Sequence, residues 1–224
     1  MTLLECVEHE TGAAPTWSIV WLHGLGADGH DFEPIVPELQ LPATLPVRFV
    51  FPHAPVQAVT INGGARMRAW YDVYALDGVR REDETGVRAS QARVEALLAR
   101  ENARGVAAPR IVLAGFSQGG AIALQTGLRH GERLAGIMAL STYLPLASSV
   151  AKEASAANRD VPIFMAHGVY DDLIPLARAA ASRDALVAAG YRVEWHEYRM
   201  QHAVCAEEIA DVARWLRTLL STPA

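Results

Sequence analysis

The sequence predicts an α/β protein whose open, mostly parallel central sheet is covered by helices on both faces. Short apolar runs alternate along the chain with segments of helical periodicity, which is the pattern of strands joined by crossover helices. Most of these runs lack strict polar alternation, as strands buried on both faces do. The chain has 224 residues, 51% of them hydrophobic, which is enough for a complete core. We therefore expect residues 1–224 to form a single domain.

Six strands and four helices follow from this pattern. The strands are predicted at 17–22, 47–51, 111–114, 134–140, 162–166 and 192–198. The helices are predicted at 84–104, where Gly105 signals the end, and at 118–129, 176–189 and 204–220. The Ala- and Ser-rich stretch 146–158 is predicted to be a surface loop or a short helix. Because ligands of open α/β sheets bind beyond the carboxyl ends of the strands, the residues there are the candidates for function.

Charge and composition exclude several classes of function. The 20 basic and 25 acidic residues give a net charge of −5 without a basic block, so no nucleic-acid partner is expected. No apolar run approaches the ~20 residues of a membrane span, and the N-terminus lacks the features of a signal peptide. Cys6 and Cys205 lie at opposite ends of the chain and predict reduced thiols. We expect a cytoplasmic protein without stable membrane insertion, metal or cofactor.

The strongest motif is a Gly-x-Ser-x-Gly pattern formed by Gly115, Ser117 and Gly119, placed between a predicted strand and a predicted helix. A strained turn of this kind lifts a serine hydroxyl above the sheet, and the glycines allow the backbones to approach closely. The helix start after the serine also favours a developing negative charge. The motif predicts that Ser117 is a nucleophile, with an idle serine in a tight turn as the alternative.

A serine nucleophile needs a histidine base and a carboxylate that orients the base. In enzymes with this turn, both follow the serine along the chain. His202 lies between the last predicted strand and the last predicted helix, on a strand-end loop. The other candidates after Ser117 are His130, late in the following helix, His167, directly after the strand 162–166, and His196, within a strand. The positions favour His202 as the base.

The candidate acid lies on the loop after the strand 162–166. Asp171 and Asp172 are adjacent there, and spacing alone does not choose between them. Either one has a structural alternative, as a helix N-cap or a solvated turn residue.

The third requirement is a pair of N–H groups that bind the oxyanion. The residue after the nucleophile, Gln118, supplies the first donor by position. The loop 23–26, His-Gly-Leu-Gly, follows the strand 17–22 and supplies the second. His23 precedes the nucleophile in sequence, so we expect it to support this loop rather than to act as the base.

With these motifs the chain resembles the small bacterial carboxylesterases that belong with the acyl-protein thioesterases and lysophospholipases, in the α/β-hydrolase superfamily. The resemblance covers nearly the whole length, through blocks at 23–31, 51–55, 67–72, 82–86, 115–120 and 141–145 and the regions of Asp171 and His202. It implies a catalytic triad of Ser117, Asp171 and His202, with Leu25 and Gln118 as oxyanion donors. The chain departs from the family at Val169 and Asp172, where an Asp and a Pro are usual.

The resemblance also implies that Trp70 and Leu144 line an acyl site, although Trp70 is equally a candidate core anchor. No insertion is long enough for a separate lid domain, so the site should be open. We expect a serine carboxylesterase that hydrolyses short- to medium-chain acyl esters through an acyl-enzyme, with acyl thioesters and lysophospholipids as further candidates. The alternative is a non-catalytic scaffold that binds a small ester or lactone as a sensor. A homodimer is a further expectation, with the apolar stretch 143–146 as a candidate interface or pocket rim.

Overall fold

The computed structural model describes residues 3–74 and 82–221. Residues 1–2, 75–81 and 222–224 of the predicted domain lie outside the described residues. The strands are β1 (Cys6–Glu10), β2 (Trp17–Leu22), β3 (Val47–Pro52), β4 (Val56–Val59), β5 (Ala65–Arg68), β6 (Ile111–Phe116), β7 (Gly136–Leu140), β8 (Ile163–Gly168) and β9 (Val193–Tyr198). The α-helices are α1 (Glu84–Ala103), α2 (Gln118–Arg129), α3 (Val150–Glu153), α4 (Leu176–Ala188) and α5 (Ala206–Leu220).

Within the described residues, seven strands form the central sheet in the order β1-β3-β2-β6-β7-β8-β9. All neighbouring strands are parallel except β1, which runs antiparallel to β3 at one edge. Strands β4 and β5 form a separate antiparallel hairpin. The strands β2, β6, β7, β8 and β9 are parallel, so their carboxyl ends all lie on the same side of the sheet, across the strand direction. The loops after these strands therefore converge there.

Helices cover both faces of this sheet, as the sequence predicts. Alternate residues of β2 point to opposite faces, although the whole strand is buried. Val20 joins a core cluster that includes Leu97 of α1, whereas Ile19 joins a second cluster that includes Leu216 of α5. The strand is therefore almost entirely apolar because each of its two faces packs against helices, as predicted.

The six predicted strands and four predicted helices are all present, with shifts of no more than two residues at their ends. The stretch 146–158 forms short helical turns and the four-residue α3. Residues 3–74 and 82–221 contain no separate lid domain. Along this part of the chain, no helix combines the length and hydrophobicity needed to cross a bilayer. Strands β1, β4 and β5 were not predicted.

Candidate active site

Ser117 occupies the sharp turn between β6 and α2. Its backbone angles, φ 53° and ψ −120°, lie in a region that residues other than glycine rarely adopt. Two glycines make the turn sterically possible: a Cβ on Gly115 would lie 2.3 Å from backbone atoms of Gly119, and one on Gly119 would lie 2.3 Å from Leu22 O. The Ser117 N–H donates to Leu140 O at 2.8 Å, which ties the strained residue to β7. This hydrogen bond to β7 thus helps to keep Ser117 in its strained backbone conformation.

His202 lies on the loop between β9 and α5, and its ring contacts the Ser117 side chain. The Ser117 hydroxyl and His202 Nε2 are 2.8 Å apart, and His202 Nδ1 is 2.7 Å from Asp171 Oδ2. Since a carboxylate only accepts, Nδ1 carries the proton and Nε2 is free to accept from the serine. The ring also packs against Phe116, with ring centroids 4.9 Å apart. This is the tautomer that a general base requires.

Asp171 is held on the loop after β8. It is 6% exposed, and its Oδ1 accepts hydrogen bonds from the N–H groups of Leu173 at 3.0 Å and Ile174 at 2.8 Å. Its other oxygen faces His202. The neighbouring Asp172 is exposed. The structure therefore brings Asp171, of the two candidates, to the histidine.

The segments of the two predicted oxyanion donors both lie next to Ser117. Gln118 is the first residue of α2, where a backbone N–H has no intrahelical acceptor. Leu25 follows Gly24, where an added Cβ would lie 3.5 Å from the Ser117 Cβ. The loop 23–26 therefore passes directly beside the serine. Its placement fits a second donor.

His23 supports this loop, as the sequence predicts. Its Nε2 accepts from the Ala54 N–H at 3.0 Å, and its Nδ1 therefore donates to Gly24 O at 2.7 Å. Burial of the imidazole lowers the pKa of His23 to about 4, so the ring is neutral at physiological pH. Both ring nitrogens are engaged by backbone groups. This histidine is a structural element of the loop and not a base.

Trp70 lies in the core between the two donor segments. Its side chain is completely buried, and its Nε1 donates to His23 O at 2.9 Å. Its backbone N–H donates to the Gln118 Oε1 at 2.7 Å, and the amide of the same Gln118 side chain donates to Tyr71 O. Because no part of the ring is accessible, this placement favours the alternative prediction of a core anchor over a wall of an open acyl pocket. A contact between Trp70 and substrate stays a prediction.

Leu144 borders a cavity of about 90 Å³ beside α4. Its N–H donates to the Ser182 Oγ at 2.9 Å, and its side chain is nearly buried. The other walls include Glu82, Tyr143 and Arg178, whose guanidinium lies 3.5 Å from the centre of the Tyr143 ring. The cavity is thus partly charged, unlike the apolar pocket that was expected. A contact between Leu144 and substrate stays a prediction.

Two exposed apolar side chains flank the candidate acid, and sequence reasoning missed them. Tyr170 is 60% exposed and Leu173 is 49% exposed, although Asp171 between them is buried. Large apolar side chains on both sides of a candidate acid on a strand-end loop are the sequence signal that would have found them. Among the described residues, no group of three or more His, Cys, Asp or Glu side chains is arranged to hold a metal ion.

A mostly parallel sheet with a serine in a strained strand-to-helix turn, and a histidine and an aspartate on later strand-end loops, defines the class of α/β-hydrolases. The family model described as Phospholipase/Carboxylesterase matches residues 5–220. The chain belongs to this family. It is a serine hydrolase that acts on esters.

The relatives include acyl-protein thioesterase 1 from Yarrowia lipolytica, 38% identical over 91% of this chain and 92% of the relative. Acyl-protein thioesterase 1 from Neurospora crassa is 39% identical over 91% of this chain and 87% of the relative. Among solved structures, Zea mays acyl-protein thioesterase 2 superimposes with a TM-score of 0.83 at 31% identity, covering 96% of this chain and 99% of that one. The expected family is confirmed, whereas its bacterial branch is not supported, because these relatives are fungal and plant proteins.

Proposed function

We propose that Ser117, His202 and Asp171 form the catalytic triad of this hydrolase. The observation that carries the proposal is the continuous chain of contacts from the Ser117 hydroxyl to His202 Nε2 at 2.8 Å and from His202 Nδ1 to Asp171 Oδ2 at 2.7 Å. A hydroxyl within hydrogen-bond reach of a correctly protonated imidazole is ready for general-base catalysis.

In the proposed reaction, Ser117 Oγ attacks the acyl carbonyl while His202 Nε2 takes the hydroxyl proton. The negative charge on the carbonyl oxygen is bound by the N–H groups of Leu25 and Gln118. His202 then donates the proton to the leaving alcohol or thiol, and the acyl group remains on Ser117. Water, deprotonated by the same imidazole, attacks the acyl-enzyme and releases the carboxylic acid. Asp171 stays ionised throughout and stabilises the imidazolium.

The test compares Ser117→Ala with Ser221→Ala, a control at the exposed end of α5. We expect a fluorophosphonate probe to label the wild type and the control but not Ser117→Ala. The kcat for p-nitrophenyl butyrate should fall by about 10⁴- to 10⁶-fold in Ser117→Ala only. Wild-type hydrolysis by Ser117→Ala would refute the proposal. The alternative of a non-catalytic scaffold predicts ester binding without labelling of the wild type.

We propose acyl thioesters and oxygen esters of medium chain length as the substrates, with lysophospholipids as further candidates. The names of the fungal relatives support thioesters, and the name of the family supports phospholipid esters. The exposed Tyr170 and Leu173 beside the candidate acid form an apolar patch, here called the acid-loop rim. This rim supports a substrate whose apolar acyl chain leaves the site across it. Parallel assays of an octanoyl thioester, an octanoyl oxygen ester and a lysophospholipid give the preference as ratios of kcat/KM.

The rim is tested with Leu173→Ser and a control, Val187→Ser, which removes a similarly exposed side chain from α4. Covering a half-exposed leucine with an acyl chain is worth about 1 kcal/mol, so kcat/KM for an octanoyl ester should fall about fivefold in Leu173→Ser. The value for an acetyl ester should not change. Equal effects in the two variants, or equal effects on the two esters, would exclude Leu173 from the rim.

We also propose that the whole chain acts as one catalytic domain in the cytoplasm. The free thiols of Cys6 and Cys205 support a reducing compartment, and cell fractionation tests the location. The stretch 143–146 packs mostly against its own chain, which argues against an interface at this place. A homodimer through another surface stays a prediction that light scattering tests.

A further inference from the structure

A second histidine touches the candidate acid without touching the serine. His167, near the end of β8, is completely buried. Its Nε2 lies 2.8 Å from Ile174 O and 3.2 Å from Asp171 Oδ2. Asp171 Oδ2 is also the oxygen that faces His202. One carboxylate oxygen thus lies between two imidazole rings.

The surroundings of His167 determine where its proton is. A carbonyl oxygen only accepts, so Nε2 carries the proton and donates it to Ile174 O. The other ring nitrogen, Nδ1, is buried and has no hydrogen-bond partner among the described residues. Burial lowers the pKa of His167, although Asp171 and Glu197 oppose this effect. His167 is therefore a neutral ring with its N–H edge toward the acid loop.

These contacts close a ring around the carboxylate. His167 Nε2 donates to Ile174 O, and the Ile174 N–H donates to Asp171 Oδ1 at 2.8 Å. Asp171 Oδ2 lies 3.2 Å from His167 Nε2, which completes the cycle. Rotation of the carboxylate about its Cβ–Cγ bond would break the contacts of both oxygens. This closed cycle of contacts therefore fixes the plane of the Asp171 carboxylate and so the direction in which Oδ2 faces His202.

We propose that His167 is a positioning residue of the hydrolase, which orients the Asp171 carboxylate toward His202. The inference rests on the proposed triad and extends it by one residue. It assigns two tasks to the same N–H group: holding the backbone of the loop through Ile174 O, and presenting the positive end of a dipole to Asp171 Oδ2. The second task moderates the attraction between the carboxylate and a protonated His202.

The experiment compares His167→Leu, which keeps much of the volume but has no donor, with His167→Gln, whose amide can donate from a similar position. His196→Gln is the matched control, because His196 lies on the neighbouring strand β9 and contacts Glu194 and Asp211 instead of the triad. For each variant, kcat and KM are measured from pH 5 to pH 9. The kcat is expressed per site labelled by the fluorophosphonate probe, so that unfolded molecules do not contribute.

We expect His167→Leu to lower kcat by about 10- to 100-fold, with KM within about twofold of the wild type, because the Asp171 carboxylate is no longer held in the position that faces His202. The acid limb of the kcat/KM profile should move up by about 0.5 pH unit, since the bare carboxylate attracts a protonated His202 more strongly. His167→Gln should recover most of both changes, and His196→Gln should match the wild type.

Two results would overturn the inference. One is a His167→Leu variant with wild-type kcat. The other is an equal loss in His167→Leu and His167→Gln with an unmoved acid limb, which is the behaviour of a residue that only fills space. Failure of the proposed triad is recognised separately, because Ser117→Ala would then retain activity whatever the His167 variants do.

Discussion

Glu208 gives the sharpest prediction for the stability of this protein. It lies in the first turn of α5, it is completely buried, and neither of its carboxylate oxygens has a hydrogen-bond partner among the described residues. Its surroundings include Trp21, Leu39, Leu140 and Val212. Burial raises the pKa of Glu208 from 4.5 to about 8, and the nearby Asp211 carboxylate adds to this shift. We therefore expect a protonated side chain at neutral pH.

The sign of the effect follows from proton binding. Between pH 4.5 and pH 8 the folded protein retains the Glu208 proton, whereas the unfolded chain loses it, so the free energy of unfolding falls as the pH rises. Each pH unit in this window is worth about 1.4 kcal/mol, which gives a cost of about 3 kcal/mol at pH 7. About 2.5 kcal/mol of this accumulates between pH 5 and pH 7. Glu208→Gln stays neutral in both states and has no such cost.

The assay is urea unfolding at pH 5, 6, 7 and 8, followed by tryptophan fluorescence. The free energy of unfolding of Glu208→Gln relative to the wild type should rise by about 2.5 kcal/mol between pH 5 and pH 7. Any effect of burying the amide that does not depend on pH cancels in this comparison. The exposed neighbour supplies the control, Glu207→Gln, for which no such gain is expected. A stability difference between Glu208→Gln and the wild type that is the same at pH 5 and pH 7 would show that Glu208 is ionised in the folded protein.

Three further predictions concern the supports of the site and the sheet. A Cβ on Gly168 would lie 2.4 Å from Met200 O in the loop that carries the candidate base, so Gly168→Ala should lower kcat by about 100-fold, measured per folded molecule. The carboxylate of Glu101 is buried beside Arg48 at 3.0 Å, so Glu101→Gln should lower the free energy of unfolding by about 3–5 kcal/mol in urea and leave kcat unchanged. Trp70→Phe removes a buried indole hydrogen bond and should cost about 1–3 kcal/mol, with an unchanged chain-length profile for ester hydrolysis.

Among the strands, the sequence predicts the almost completely buried β2, β3, β6, β7 and β8 and also the partly exposed edge strand β9, but it misses three other strands that are not fully buried. Strand β1 carries Glu8 and Glu10, which form ion pairs with arginines from other elements. Such a strand has low intrinsic propensity, and its pairing with β3 is a tertiary effect. The hairpin of β4 and β5 is short and mostly exposed. Its turn contains Gly63 and Gly64, both with positive φ, and this Gly-Gly pair was a usable signal.

The site shows a similar division. Chain order and strand-end positions predict Ser117 and His202 as partners, and the fold brings their side chains together because the carboxyl ends of parallel strands lie at the same end of the sheet. Spacing alone leaves Asp171 and Asp172 open and the family resemblance implies Asp171, but which carboxylate turns inward to His202 is visible only in the structure. Trp70 could not be assigned from sequence, since an apolar pocket and an apolar core select the same residue types.

Three histidines at the ends of parallel strands illustrate how surroundings divide one residue type among different tasks. His23 is held by backbone groups at both ring nitrogens, and His167 is buried with its N–H edge on the acid loop. Burial lowers the pKa of both, so neither ring becomes charged near the site at physiological pH. The side chain of His202, in contrast, is 12% exposed and lies between a hydroxyl and a carboxylate. Of the three, it alone has both a proton donor to deprotonate and a carboxylate that stabilises the resulting cation. The proposed base therefore differs from the other two histidines in the pair of groups it contacts, whereas a position at a strand end is common to all three.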